Sequence, residues 1–269
     1  MKILFWNTHN NKNINHILSE LIIENNINIV VVAEYEADIS NLIEILSKQR
    51  INMRPYNTIG CERIKIIGDI DDVISGLQDD HYSLQIIKKE YILCCVHLTS
   101  QLYNGSEDMR NIRIRRIIND IQALEKNNNI EKTIIVGDFN IDPFEHGCIN
   151  ADLFHSLPYY ETTVRKCRTV AGQSFQMFYN PMWNILGDFS KPYGTYYYSG
   201  SEAYETFWHI FDQVMIRPVL RESFVNSSLK IITETKSLWL INRNGHPDIN
   251  ISDHLPITFE IKENKYGET

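Results

Sequence analysis

Six short runs of this sequence are apolar almost without interruption: "KILFWN", "INIVVVAEY", "YILCCVHL", "KTIIVGDFN", "IFDQVMI" and "PITFEI". Runs of that length, rich in Ile, Val and aromatic residues, read as strands buried on both faces. Between them the apolar residues take helical spacing. Ile14, Ile17, Leu18, Leu21 and Ile22 mark an amphipathic helix over residues 13–25, and Asp38 caps a second whose apolar side is Ile39, Leu42, Ile43 and Leu46. A third, longer helix carries Ile114, Ile117, Ile118, Ile121 and Leu124, while "RIKII" and "YSLQII" add hairpin-like strands. The order is mixed rather than strictly alternating, which predicts α/β architecture with helices over the outer faces of packed sheets. At 269 residues the chain can bury a sizeable core, and one domain over residues 1–269 is the simplest organisation.

Most of these runs end in a residue that can hold a cation or a phosphate. Asn7 follows "ILFW", Glu34 follows "IVVVA", His97 follows "LCCV", and Asp138 with Asn140 follows "IIVG"; Asp212 opens "DQVMI" and Asp253-His254 precedes "LPITFEI". Each has a local explanation as a turn former, a solvated strand end, a core histidine or a capping pair. Turn chemistry does not, however, select carboxylate, amide and imidazole repeatedly at the ends of apolar strands. Hard cations such as Mg²⁺ take oxygen ligands of the kind Glu34, Asp138, Asn140 and Asp253 supply. A histidine held by a carboxylate, as His254 can be by Asp212, acts as a base or stabilises developing charge. Together they describe metal-assisted phosphoester hydrolysis.

Composition narrows the setting. A net charge of −8 argues against indiscriminate coating of DNA, though it leaves room for a local basic groove. Cys61, Cys94, Cys95, Cys148 and Cys167 are odd in number and lack C-x-x-C spacing, so neither a disulfide framework nor a zinc ribbon is signalled. With only a four-residue apolar run after Lys2 and no run of membrane-spanning length, the expectation is a cytoplasmic protein without a membrane partner.

"FWN", "VVAE", "VHLTS", "GDFN", "FDQV" and "SDHLPI", in this order across almost the whole chain, resemble the endonuclease/exonuclease/phosphatase superfamily of magnesium-dependent phosphodiesterases. "GDFN" and "SDH" are its most specific signatures. The resemblance implies a four-layer sandwich of two packed mixed β-sheets flanked by helices, with the site at one edge. It implies Mg²⁺, with Mn²⁺ as a substitute, held principally by Glu34 with Asn7 and Asp253 close by. Asp138 and Asn140 would position the attacking water and a phosphate oxygen. His254, oriented by Asp212, would be general base or stabiliser of the pentacovalent phosphate, and His97 would contact phosphate and protonate the leaving oxygen. His9 stands where many members carry a small polar residue or an acid. "NPMWNILGD" followed by "GTYYY" resembles an uncharacterised bacterial subgroup.

The substrate is less legible. Aromatic residues crowd the segment between Cys148 and Phe207, where Phe178, Trp183 and Leu186 suit a short helix covering a sheet edge. Tyr193, Tyr196, Tyr197 and Tyr198 can stack unpaired bases if exposed. Arg110, Arg113, Arg115 and Arg116 on the third helix, with Arg165, Lys166 and Arg168, form basic clusters, and Arg110 and Arg113 stand nearest the loop after His97. These features favour a nuclease with DNA as substrate. A phosphatase or phospholipase-type hydrolase for inositol phosphates or phospholipids would want a dedicated basic pocket or an exposed apolar hairpin. A non-catalytic interaction module would have no need of the filled signature positions.

Overall fold

The computed structural model describes residues 1–100, 106–201, 203 and 205–263; the expected domain is thus followed to residue 263, and residues 264–269 lie outside the described residues. The first half runs β1 (Lys2–Asn7), α1 (Asn15–Asn25), β2 (Ile29–Ala33), α2 (Ile39–Lys48), β3 (Arg54–Pro55), β4 (Ile64–Gly68), β5 (Val73–Asp79), β6 (Tyr82–Ile87), β7 (Tyr91–His97) and α3 (Glu107–Asn128). The second half runs β8 (Lys132–Asp138), α4 (His146–Ile149), β9 (Ser156–Leu157), α5 (Tyr160–Thr163), β10 (Cys167–Val170), β11 (Gln173–Gln176) and β12 (Phe178–Tyr179). It closes with β13 (Tyr196–Tyr197), β14 (Trp208–His209), β15 (Asp212–Ile216), β16 (Lys230–Ile231) and β17 (Ile257–Glu260).

Two mixed sheets result. The first has the order β16-β17-β1-β2-β4-β3 and the second β5-β6-β7-β8-β15-β12-β9, with β10-β11 and β13-β14 as separate ribbons. Strand periodicity explains why both faces of β1 are apolar. Ile3 and Phe5 point into the core between the sheets, where they meet Leu93, Cys95, Ile134, Val136 and Val214. Leu4 and Trp6 point outward under Leu18, Leu21, Leu42 and Leu46 of α1 and α2. On the far side, Ile114, Ile117 and Ile121 of α3 cover Cys94, Val96 and Ile135. The four layers expected from the sequence are therefore present.

Helix boundaries follow capping chemistry. Asp38 accepts a hydrogen bond from the Ser40 amide at the start of α2, and Ser106 accepts one from the Met109 amide at the start of α3. The first helix starts at Asn15, two residues later than its apolar spacing predicts. Residues 178–186 do not form the expected short helix. Phe178 is in β12, between β15 and the edge strand β9, and only Pro181–Asn184 make a 3₁₀ turn.

Pairing brings the polar strand ends together. In the first sheet β1 and β2 are parallel, with Asn7 opposite Ala33, so Asn7 and Glu34 leave the sheet at one edge. In the second, β7 and β8 are parallel with His97 opposite Asp138, and antiparallel β15 places Asp212 opposite Asp138. Gly137 permits this register, because a Cβ there would lie 1.9 Å from the Val96 carbonyl oxygen. Asp253 and His254 arrive at the same edge just before β17, which pairs antiparallel with β1.

Candidate active site

The buried centre is a relay of three side chains. Asp212, fully buried, accepts a hydrogen bond from His254 Nδ1 at 2.8 Å, and His254 Nε2 lies 3.9 Å from Asp138 Oδ2. The backbone fixes the imidazole as well: Trp6 Nε1 donates to the His254 carbonyl at 2.9 Å, and the His254 amide donates to Ser252 Oγ at 3.1 Å. Ser252 Oγ in turn donates to the Asn7 carbonyl at 2.7 Å, tying the Ser-Asp-His segment to the end of β1. Burial alone would lower the pKa of His254, but the charges of Asp212 and Asp138 outweigh it and push the pKa up to about 10. Asp212 and Asp138 thus favour the imidazolium form of His254. Burial pushes the Asp138 carboxyl up, against the pull of His254, with Asp212 adding to the rise.

A second group borders this relay. Asn7 Nδ2 donates to Asp138 Oδ2 at 3.0 Å and to Glu34 Oε1 at 3.3 Å, so two carboxylates from different sheets converge on one amide. Glu34 has φ of +48°, a backbone conformation uncommon for a residue with a side chain at this position. Its other oxygen accepts from Asn10 Nδ2 at 3.0 Å. His97 Nε2 lies 3.4 Å from Glu34 Oε1 and 3.8 Å from Asp138 Oδ2. The hydrogen bond to His97 is the main reason that Glu34 is held well below the carboxylate range, at about 2. Among the described residues His97 Nδ1 and Asp212 Oδ1 are buried without a hydrogen-bond partner, so the site keeps polar capacity for a ligand.

Asn140 also has positive φ, +51°; its amide donates to Asp138 Oδ1 at 2.9 Å and its side chain to the Leu98 carbonyl at 2.8 Å. The loop after β8 is thereby locked to the loop after β7. Asp253 is partly exposed and lies 3.2 Å from His9 Nδ1, at the rim. The structure thus brings Asn7, Glu34, His97, Asp138, Asn140, Asp212, Asp253 and His254 to one edge of the sandwich.

The two arginines separate. Arg113 is half-buried and donates to Thr99 Oγ1, beside the strand end that carries His97. Arg110 is 3% exposed, with Nη1 3.4 Å from the Asn140 carbonyl and Nη2 3.8 Å from Glu145, so it supports the Asn140 loop from beneath and does not line an open groove. The tyrosines expected to be exposed are half-buried: Tyr196 stacks on Phe211 at 5.2 Å and Tyr197 on His246 at 3.5 Å.

Sequence reasoning missed one neighbour of the centre. Asp142, two residues past Asn140, accepts from the Ile210 amide at 2.7 Å and bonds His209 Nδ1 at 2.7 Å, while His209 Nε2 bonds Glu205 at 2.9 Å. The only signal available was a further aspartate in "FNIDP" and a histidine three residues before Asp212.

Neither a protein-family model nor a curated protein matches the chain. Solved structures do. A 3′-5′ exonuclease from Neisseria meningitidis is 15% identical over 98% of this chain and 100% of its own, with a TM-score of 0.59. An endonuclease/exonuclease/phosphatase family protein from Bacteroides thetaiotaomicron is 11% identical over 97% of each chain, with a TM-score of 0.58. A mannosyl-6-phosphatase from the same organism is 11% identical over 98% and 100%, with a TM-score of 0.56. The fold is therefore the endonuclease/exonuclease/phosphatase sandwich.

Proposed function

We propose that this chain is a divalent-metal-dependent phosphodiester hydrolase of the endonuclease/exonuclease/phosphatase superfamily, with DNA as its substrate. The observation that carries the reading is the buried Asp212–His254 pair facing Asp138, 2.8 Å on one side and 3.9 Å on the other. A fold alone would not support an activity. A charged histidine enclosed by two carboxylates has little value for stability, because desolvating such groups is costly, and much for transition-state electrostatics.

The donor set fits Mg²⁺ or Mn²⁺. Glu34 and Asp138 supply carboxylate oxygens of the kind a hard cation takes, and Asn7 holds both through its Nδ2 while its Oδ1 accepts from the His9 amide. Asp138, Asp212 and His254 also bring ligand-type atoms within 4.8 Å of one another. Their atoms already serve the relay, which leaves Glu34, partly exposed beside them, as the principal residue that would hold the metal, with Asp253 at the rim. When bound, the metal supplies positive charge to a phosphoryl oxygen.

The residues divide the remaining work. Asp138 and Asn140 orient the attacking water, the first accepting its proton. His254, kept cationic by its two carboxylates, donates to the phosphoryl oxygen as charge accumulates there. His97, whose Nε2 approaches the same Asp138 oxygen at 3.8 Å, would protonate the leaving oxygen. Arg113 gives the substrate a cationic contact beside His97. The names of solved structures with this fold span an exonuclease and a sugar phosphatase, so a phosphatase acting on a small phosphoester is the rival reading. The likeness to the exonuclease and the partly exposed Arg113 favour a polynucleotide.

The test is a cleavage screen over single- and double-stranded DNA, RNA, inositol phosphates and phospholipids, with Mg²⁺, with Mn²⁺ and with excess chelator. Turnover of DNA that stops in chelator and returns with either metal is expected. Undiminished turnover in chelator would overturn the metal assignment, and turnover of the small phosphoesters alone would overturn the polymer.

A further inference from the structure

The catalytic loop and the aromatic segment are joined by a second histidine flanked by carboxylates. His209 bonds Asp142 Oδ2 through Nδ1 at 2.7 Å and Glu205 Oε1 through Nε2 at 2.9 Å. All three side chains are largely buried, at 14%, 4% and 10% exposure for His209, Asp142 and Glu205. Both oxygens of Asp142 are committed, the other accepting from the Ile210 amide, and its own amide donates to Glu145 Oε1 at 2.8 Å. Glu205 accepts as well from the Phe207 amide at 2.6 Å. The pair is therefore not a solvated surface bridge of negligible value. It fixes residues 205–210 to a loop whose other end is Asp138 and Asn140.

The same segment reaches the catalytic imidazole by a column of rings. His209 stacks on Phe211 with centroids 4.6 Å apart, Phe211 on Tyr196 at 5.2 Å, and Tyr196 lies 4.9 Å from the His254 ring. Contacts at such distances have preferred orientations, so the position of one ring constrains the next. The backbone reinforces the column: Tyr196 pairs with His209 across the β13-β14 ribbon and forms a bridge with His254. Gly194 lets the ribbon close, since a Cβ there would sit 2.3 Å from the His209 carbonyl oxygen. Thus His254 is held by Asp212 at one ring nitrogen and walled by Tyr196 on its face, and that wall is anchored through His209 to the loop that carries Asp138.

We propose that the Asp142–His209–Glu205 clamp is a positioning device that sets the distance between His254 and Asp138 by fixing the aromatic ribbon to the catalytic loop. His209 touches no reacting atom in this scheme and is a positioning residue. The proposal deepens the hydrolase reading and rests on it for its kinetic arm.

Asp142→Asn is the sharpest variant. The asparagine carbonyl oxygen can still accept from the Ile210 amide, while its amide group cannot bond His209 Nδ1–H, so one link is removed and the turn kept. Glu205→Gln is the milder companion, should the first variant fold poorly. The full-length protein is assayed for hydrolysis of a DNA oligonucleotide with Mg²⁺, and the imidazole ¹⁵N resonances of His254, assigned by their loss in His254→Gln, are compared in the same samples. Expected are a fall in kcat of about 10- to 100-fold, the scale of a sub-ångström to 1 Å misplacement, with KM changed by less than about twofold, and a shift of the His254 resonances. A folded Asp142→Asn with wild-type kcat and unmoved His254 resonances would overturn the proposal. So would a lower Tm with normal kcat in the folded fraction, the signature of a purely structural link. If the wild-type chain hydrolyses no phosphoester, the hydrolase reading fails by itself. The resonance comparison then decides the positioning alone, with moved resonances upholding it and unmoved ones ending it.

Discussion

At the scale of single residues, Asp138 and His254 bear the chemistry in this account, and each should be separable from folding. Asp138→Asn keeps the shape and the contact with the Asn140 amide, while His254→Gln keeps a donor for the buried Asp212 carboxylate. Either change should cost about 10²- to 10⁴-fold in turnover, the usual worth of acid–base assistance, with circular dichroism unchanged. Near-normal turnover in a folded variant would mean that another group does this work. That the polar strand ends gather at one edge was legible because a buried apolar run that stops at a carboxylate or an imidazole aims it rigidly. Arg110 sits beneath the site rather than along a groove, and the sequence does contain the signal for that. It lies four residues before Ile114, on the stripe that continues through Ile117 and Ile121 to Glu125, and both of its charged members, Arg110 and Glu125, are buried. Asp142 and His209 carried no such signal, because what defines them is a contact between segments 67 residues apart.

At the scale of elements, the far end of α3 makes a prediction independent of catalysis. Glu125 accepts from Arg217 Nε at 2.8 Å and Nη2 at 3.1 Å, and from Thr133, while the guanidinium lies over the Phe178 ring at 3.9 Å. This pair clasps α3 to the ends of β8 and β15 opposite those that carry Asp138 and Asp212. Glu125→Gln leaves a buried guanidinium without its countercharge and should destabilise by about 3–5 kcal/mol in denaturant titration, while the folded fraction keeps its turnover. The clamp at His209 has a pH signature. Burial would lower its pKa, but Asp142 and Glu205 outweigh it and raise the folded value above the ordinary one. The stability it contributes is thus fully present below the unfolded pKa and fades as pH rises through the folded one. The Tm advantage of wild type over His209→Gln should shrink over that rise, and an advantage that grew with pH would contradict the sign. Buried strands and capped helices were readable at this scale. Strands β10 and β11 were not, because the residues of Cys167–Val170 are exposed and show no apolar period, and β5 lies at a sheet edge where even Ile74 and Leu77 are exposed and burial imposes little pattern.

At the scale of the whole molecule, the proposed DNA substrate requires a chain of net charge −8 to meet a polyanion. No described helix is long and apolar enough to cross a membrane. With so acidic a chain, binding would rest on local contacts, Arg113 among them, rather than on a broad basic face. Arg113→Glu should flatten the log–log salt dependence of oligonucleotide binding by about 0.7 to 0.9 for each phosphate that is no longer neutralised. It should leave hydrolysis of a small chromogenic phosphodiester nearly unchanged. Equal effects on both substrates would place Arg113 in the reacting centre instead. The two-sheet architecture was legible because so many fully apolar runs must be covered on both faces, whereas the substrate was not, because the walls of the site come from irregular segments whose packing the sequence does not encode locally. The most direct test of the central claim is single-turnover cleavage of a defined DNA oligonucleotide by wild type and by Asp138→Asn, each in Mg²⁺ and in excess chelator. Rapid cleavage is expected only of wild type with metal, with a loss of about 10²-fold or more in the other three arms. Cleavage by Asp138→Asn at the wild-type rate, or by wild type in chelator, would contradict the claim.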